Sequence, residues 1–177
     1  LLFSLLRGKS KIPFSELKGK TVGIIGLGNI GKLVAQKLLG FDCTVIATDI
    51  FKQEPIILQK LNVKMKKFNE VIEQSDVISV HVPLNEHTQH LIGIDSFDKM
   101  KDNSFFINTS RAEVVDEDAL IHFQHKFKGI GLDVFSKKLK ESLEGNIILT
   151  DHVAAQGEDS FKNQCVQPIK IFLQKIM

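Results

Sequence analysis

Three glycines and one acid carry the clearest chemistry in this chain. Gly26, Gly28 and Gly31 form a G-x-G-x-x-G turn directly after an apolar run at 22–25. A helix-like segment at 32–39 follows, then a second apolar run at 43–48 that ends at Asp49. An acid about 20 residues beyond such a turn, in the order strand, turn, helix, strand, is the pattern that holds a dinucleotide. Each residue type has a physical reason. Gly26 permits a tight turn off the strand, Gly28 lets a pyrophosphate approach the backbone, and Gly31 lets the helix pack close to the sheet. The N–H groups of Asn29 and Ile30 open the helix, where unpaired donors and the helix dipole favour an anion. Asp49 would accept hydrogen bonds from the adenosine ribose and repel a 2′-phosphate, which favours NAD over NADP. Lys52 lies close by and softens that preference.

A second set of polar residues follows the later apolar runs: His81-Val82-Pro83, Thr109-Ser110-Arg111, Asp133 and Asp151-His152. A planar guanidinium such as that of Arg111 can hold a carboxylate through two parallel hydrogen bonds. A histidine can give and take a proton near neutral pH.

The elements that must position these residues alternate along the chain. Strand-like runs lie at 22–25, 43–48, 63–65, 77–82, 105–108, 130–135 and 147–150. Helix-like stretches lie at 32–39, 54–61, 68–74, 95–100 with Asp95 as N-cap, 116–127 ended by Gly129, and 161–177 kinked at Pro168. Short apolar strands separated by helices predict an α/β domain, a doubly wound parallel sheet covered on both faces. Ligands of such sheets bind outside the carboxyl ends of the strands. Every polar cluster named above follows a strand, so one rim is expected to carry one site.

Composition sets the outer limits. The chain has 177 residues, 43% of them hydrophobic and 25% charged, which is the profile of one globular domain. A net charge of +2 with scattered lysines gives no basic stripe for nucleic acid. The two cysteines, Cys43 and Cys165, lack metal-site spacing, no metal is expected, and a reducing cytoplasm is the default. No apolar run reaches membrane-spanning length. The chain opens without methionine inside an amphipathic stretch with Leu1, Leu2, Leu5 and Leu6 on one side, and is expected to be part of a longer protein.

Four blocks together resemble the cofactor domain of the D-isomer-specific 2-hydroxyacid dehydrogenases. They are residues 17–31 (LKGKTVGIIGLGNIG); 81–84 (HVPL) with Thr88; 108–111 (NTSR) with 115–120 (VDEDAL); and 131–135 (GLDVF) followed by 146–152 (NIILTDH). They occur in the family's order and cover nearly all of the chain. The resemblance implies a Rossmann-type NAD-binding domain with most of the substrate domain absent. Its core would lie at about 19–153, with 1–18 as an inter-domain helix and linker and 157–177 as a helix leading back toward the substrate domain. It also implies roles. Arg111 matches the arginine that grips the substrate, and His152 matches the acid–base histidine. Asp133 matches the aspartate near the nicotinamide carboxamide. Val82, Pro83, Thr109, Ser110 and His81 match positions around the cofactor, and Ala154-Ala155 the segment after the histidine. His87, His90, His122 and His125 match no catalytic position.

The chain departs from the family in one place that matters for chemistry. The glutamate that pairs with the histidine is aligned with Lys138, and the proline after it is gone. Either Glu141 is delivered to His152 by a shortened loop, or the relay carboxylate is absent and activity is weakened. A lysine near His152 would favour neutral imidazole and move the acid limit of carbonyl reduction down. Smaller departures are Ala112-Glu113 in place of a common glycine pair, and Asp151 where proline is usual. The expected activity is hydride transfer between NAD and a small D-2-hydroxy acid or 2-keto acid, of the phosphoglycerate dehydrogenase type, in a cytoplasmic homodimer. The alternative is an NAD(H)-sensing module with little or no turnover.

Overall fold

The strands of this chain are apolar on both sides because helices cover both faces of the sheet they form. The computed structural model describes residues 16–152. Its elements run β1 (Thr21–Ile25), α1 (Asn29–Leu38), β2 (Thr44–Thr48), α2 (Pro55–Leu61), β3 (Val63–Met65), α3 (Phe68–Gln74) and β4 (Val77–Val80). They continue α4 (Ile94–Lys99), β5 (Ser104–Asn108), α5 (Glu117–Phe123), β6 (Phe127–Leu132), α6 (Lys137–Ser142) and β7 (Ile147–Leu149). Single 3₁₀ turns at Ala112–Val114 and Gln124–Lys126 flank α5. Among the described residues the strands make one seven-stranded sheet, ordered β3-β2-β1-β4-β5-β6-β7, with every pairing parallel. The order reverses between β1 and β4, which is where doubly wound sheets open a ligand crevice.

Alternation along the strands divides the core into two layers. Val22, Ile24, Val45, Ala47, Phe105 and Ile107 face one side, where Ala35 and Leu38 of α1 and Leu61 of α2 cover them. Ile25, Ile46, Ile78, Val80, Phe106, Ile130 and Leu132 face the other, under Val71 and Ile72 of α3, Phe97 of α4, Leu120 of α5 and Leu139 of α6. Phe97 and Phe106 meet edge to face with ring centres 5.3 Å apart. Shedding large apolar side chains from water in this way is the main stabilising force of the domain, at roughly 1.5–3 kcal/mol for each fully buried one.

Several local expectations are revised. Gly129 does not end a helix; it lies inside β6, where a Cβ would stand 2.9 Å from Asn146 Nδ2 and 3.0 Å from the Phe105 ring. The helix before it stops at Phe123, and the next three residues tighten into a 3₁₀ turn. Asp95 is not the N-cap of α4; Gly93 holds that place and Asp95 sits in the first turn, where an acid still suits the dipole. The strand expected at 77–82 ends at Val80, and the one expected at 130–135 is displaced to Phe127–Leu132. Helix α6 was not anticipated: Ser136 caps it by accepting the Leu139 N–H, and Leu139 anchors it in the core. The stretches expected as helices at the two ends, 1–18 and 157–177, lie outside the described residues, apart from 16–18.

Candidate functional site

Because all the strands are parallel, their carboxyl ends share one edge. Gly26 leaves β1, Asp49 leaves β2, His81 follows β4, Thr109 follows β5, Asp133 follows β6, and His152 lies three residues beyond β7. The sheet therefore brings these residues to one rim, and Ala154 and Ala155 fall outside the described residues.

The glycine turn is tight. Gly26 adopts φ +94°, and a Cβ on it would stand 2.9 Å from the His81 carbonyl carbon and from Val82 N. Its N–H donates to the Thr48 carbonyl at 2.9 Å, tying β1 to β2. A Cβ on Gly31 would stand 2.1 Å from the Gly26 carbonyl oxygen, so α1 could not start this close to β1 with any other residue there. Gly28 is the N-cap of α1, and nothing lies within 4 Å of where its Cβ would be. That open space, beside the first N–H groups of a ten-residue helix, fits a pyrophosphate.

Asp49 is held more firmly than spacing alone implied. Its Oδ2 accepts the Leu27 N–H at 2.7 Å, and its Oδ1 accepts the Phe51 N–H at 2.8 Å. The carboxylate is thus locked to the glycine turn, with a second lone pair on each oxygen open to a sugar hydroxyl. Ile50 and Phe51 beside it are 90% and 72% exposed, an apolar surface suited to a flat heterocycle. The fit of these groups to NAD is therefore good at the phosphate and the ribose.

On the other side of the turn, His81 Nε2 lies 2.9 Å from Ser79 Oγ, and Nδ1 lies 3.5 Å from Thr109 Oγ1. Burial pushes the imidazole down to about 4, so it is neutral at ordinary pH. The next loop is set by Thr88, whose hydroxyl donates to the Pro83 carbonyl at 2.6 Å and accepts the Asn85 N–H at 2.8 Å.

The loop that carries Arg111 is organised by Asn108, a residue whose role the sequence did not reveal. Asn108 is 1% exposed. Its Oδ1 accepts from Ser110 N–H at 2.9 Å and Ser110 Oγ at 2.8 Å, and its Nδ2 donates to the Arg111 carbonyl at 2.9 Å. A polar residue ending an otherwise apolar strand, just before Thr-Ser-Arg, was the signal available. Arg111 itself is exposed, and its Nη1 donates to the Ser110 carbonyl at 2.7 Å. The other guanidinium donors have room for an anion.

Asp133 joins this loop to the last strand. It is 3% exposed, donates its N–H to the Asn108 carbonyl at 3.0 Å, and accepts the Thr150 hydroxyl on Oδ1. Its carbonyl accepts the His152 N–H at 3.0 Å, which fixes the backbone of His152 beside it. Arg111, Glu113, Asp133, Asp151 and His152 line one open cleft. Lys138 and Glu141 are not among its lining residues. Lys138 Nζ donates to Asp118 on α5, and Glu141 lies 3.8 Å from Lys137 on the exposed face of α6. Asp118 holds the Lys138 ammonium above its usual value.

Comparison with known proteins agrees with this geometry. Residues 4–154 match the family described as D-isomer specific 2-hydroxyacid dehydrogenase, NAD binding domain. The chain is 36% identical over 174 residues to a hydroxypyruvate reductase of Thermotoga maritima, covering 93% of this chain and 56% of that protein. It is 35% identical over 147 residues to a glyoxylate reductase of Thermofilum pendens, covering 79% and 43%. The fold matches a crystal structure of D-lactate dehydrogenase from Aquifex aeolicus, complexed with NAD and lactic acid, with TM-score 0.77 and 33% identity over 94% of this chain and 57% of that one. The chain thus spans about half the length of the curated relatives it matches. Its glycine turn, the acid clamped to that turn, its parallel rim and the family match make this chain a member of the D-isomer-specific 2-hydroxyacid dehydrogenase family, carrying that family's NAD-binding domain.

Proposed function

We propose that this chain is the cofactor half of a dehydrogenase that interconverts a small D-2-hydroxy acid and its 2-keto acid. The observation that carries the proposal is that Arg111 and His152 share one cleft on the rim that also bears the glycine turn and Asp49. NAD, when bound, supplies the ring that exchanges the hydride with the substrate carbon. The chain's residues do the rest. Gly28, Asn29 and Ile30 would hold the pyrophosphate and Asp49 the ribose, with Gly26 and Gly31 setting the turn. Val82, Pro83, Thr109, Ser110 and Asp133 would flank the cofactor along the rim, with His81 beside Thr109; the matching Ala154 and Ala155 lie outside the described residues. Arg111 binds the substrate carboxylate and orients its carbonyl. His152 gives a proton to the carbonyl oxygen during reduction and removes it during oxidation.

Substrates of the size of glyoxylate, hydroxypyruvate or pyruvate suit a cleft this open, and a substrate domain would close it. The domain core at about 19–153, a homodimer and a cytoplasmic setting belong to the same proposal. Among the described residues no helix is long and apolar enough to cross a membrane. A second reading, an NAD(H)-binding sensor, is favoured by one observation: neither Lys138 nor Glu141 lines the cleft with His152. Titration with NADH and turnover on a panel of 2-keto acids separate the two. The dehydrogenase reading expects NADH oxidation that Arg111→Ala abolishes while NADH still binds. Binding without turnover by the full-length protein supports the sensor and sinks the dehydrogenase.

A further inference from the structure

The cleft that holds Arg111 and His152 is short of positive charge. Arg111 is the one permanent cation among its described lining residues, while Glu113, Asp133 and Asp151 line the same walls. Asp133 is buried and engaged by the Thr150 hydroxyl. Glu113 and Asp151 are exposed, and no described cation lies within ion-pair distance of either. Backbone contacts, rather than salt bridges, keep these two acids at the cleft. The Glu113 carbonyl accepts the His90 N–H at 2.8 Å, and the buried Val114 and Val115 anchor the chain just after it. Asp151 stands between Thr150, whose N–H donates to the Leu132 carbonyl at 3.0 Å, and His152, whose N–H donates to the Asp133 carbonyl at 3.0 Å.

We propose that Glu113 and Asp151 restrict the cleft to 2-keto acids that carry a single negative charge, and reject those with a second anionic group. The inference rests on the dehydrogenase reading above, in which Arg111 takes the substrate carboxylate. One guanidinium neutralises one carboxylate through its paired donors. A second anionic group on the same molecule then meets no further permanent cation on the described walls, and two uncompensated carboxylates instead. Like charge set against the wrong ligand discriminates without removing any contact from the right one. The uncharged tail of a monoanion meets no such repulsion, and a hydroxyl on it can donate to either acid. Both acids are exposed, so the discrimination weakens as salt rises.

The test compares oxaloacetate with its 4-amide as substrates of the full-length protein with NADH, a pair that differs in the distal charge. At low salt kcat/KM for oxaloacetate should be at least about tenfold below that for the amide. The gap should narrow at least about threefold in Glu113→Gln/Asp151→Asn and further in Glu113→Lys. Using the ratio cancels any change in His152 that affects both substrates alike. Equal use of the two substrates, or a ratio that the variants leave unchanged, overturns the proposal. A second readout needs no turnover: calorimetry of succinate and its monoamide, succinamate, on the NADH-loaded protein should show the same preference for the single charge and the same narrowing. Binding of the monoamide over succinate without turnover of any 2-keto acid would keep this charge selection and sink the dehydrogenase reading alone. Succinate bound as tightly as succinamate, or neither bound at all, overturns the selection.

Discussion

Acidifying this chain from about pH 7.5 to about pH 4.5 should cost the folded state about 2.5 kcal/mol through His81 alone. The imidazole lies at the end of β4 between Ser79 Oγ, 2.9 Å from Nε2, and Thr109 Oγ1, 3.5 Å from Nδ1. Burial lowers it from 6.5 in the open chain to about 4 in the fold. Between these two values the unfolded chain binds a proton that the folded chain refuses. Stability is therefore fully present above pH 6.5 and is lost as pH falls toward 4, reaching a total of about 3 kcal/mol once both states are protonated. Other groups titrate in this range, so the measurement is a difference. Urea unfolding followed by far-ultraviolet circular dichroism, which needs no tryptophan, gives the stability of the wild type and of His81→Gln at each pH. The gap between them should change by about 2.5 kcal/mol in favour of the variant as pH falls over this range. Parallel curves, or an imidazole resonance of His81 titrating near 6.5, would refute the reasoning.

Two further outcomes follow from the rim. Gly31→Ala places a methyl 2.1 Å from the Gly26 carbonyl oxygen, a backbone atom that cannot step aside. We expect a loss of about 2–3 kcal/mol of stability and at least about tenfold weaker NADH binding, read by chemical denaturation and titration. Asn108→Ala leaves the Ser110 N–H and the Arg111 carbonyl without their partner and should cost about 2–3 kcal/mol by denaturant unfolding. A cost below about 0.5 kcal/mol would mean that the loop is organised by something else.

How much of this was legible beforehand differs from residue to residue. The cradle was legible because its residues are close in the chain and each is constrained by backbone geometry: a turn at Gly26, a close approach at Gly31, a helix start at Asn29. The strands were legible because burial on both faces leaves continuous apolar runs. Helix α6 was hidden because its six residues, mostly lysine, glutamate and serine, bury only Leu139, too weak a pattern to read. Gly129 misled because glycine ends helices for conformational reasons but enters strands for spatial ones. The space it leaves is taken by Asn146 and Phe105, both more than fifteen residues away in sequence.

By itself the sequence determined the alternation of strands and helices apart from α6, the glycine turn followed by an acid, and the family blocks in which Arg111 and His152 stand. Those properties depend on neighbours along the chain, and local geometry is enough to encode them. Only the tertiary structure decided that Asp49 is clamped to Leu27, that Asn108 steers the Arg111 loop, and that Lys138 turns to Asp118 while Lys52 and Lys67 line one cavity with Asp49. Each of these joins elements brought together by parallel pairing or side-by-side packing, and a hydrogen bond or charge contact between such elements leaves no periodic trace in the chain.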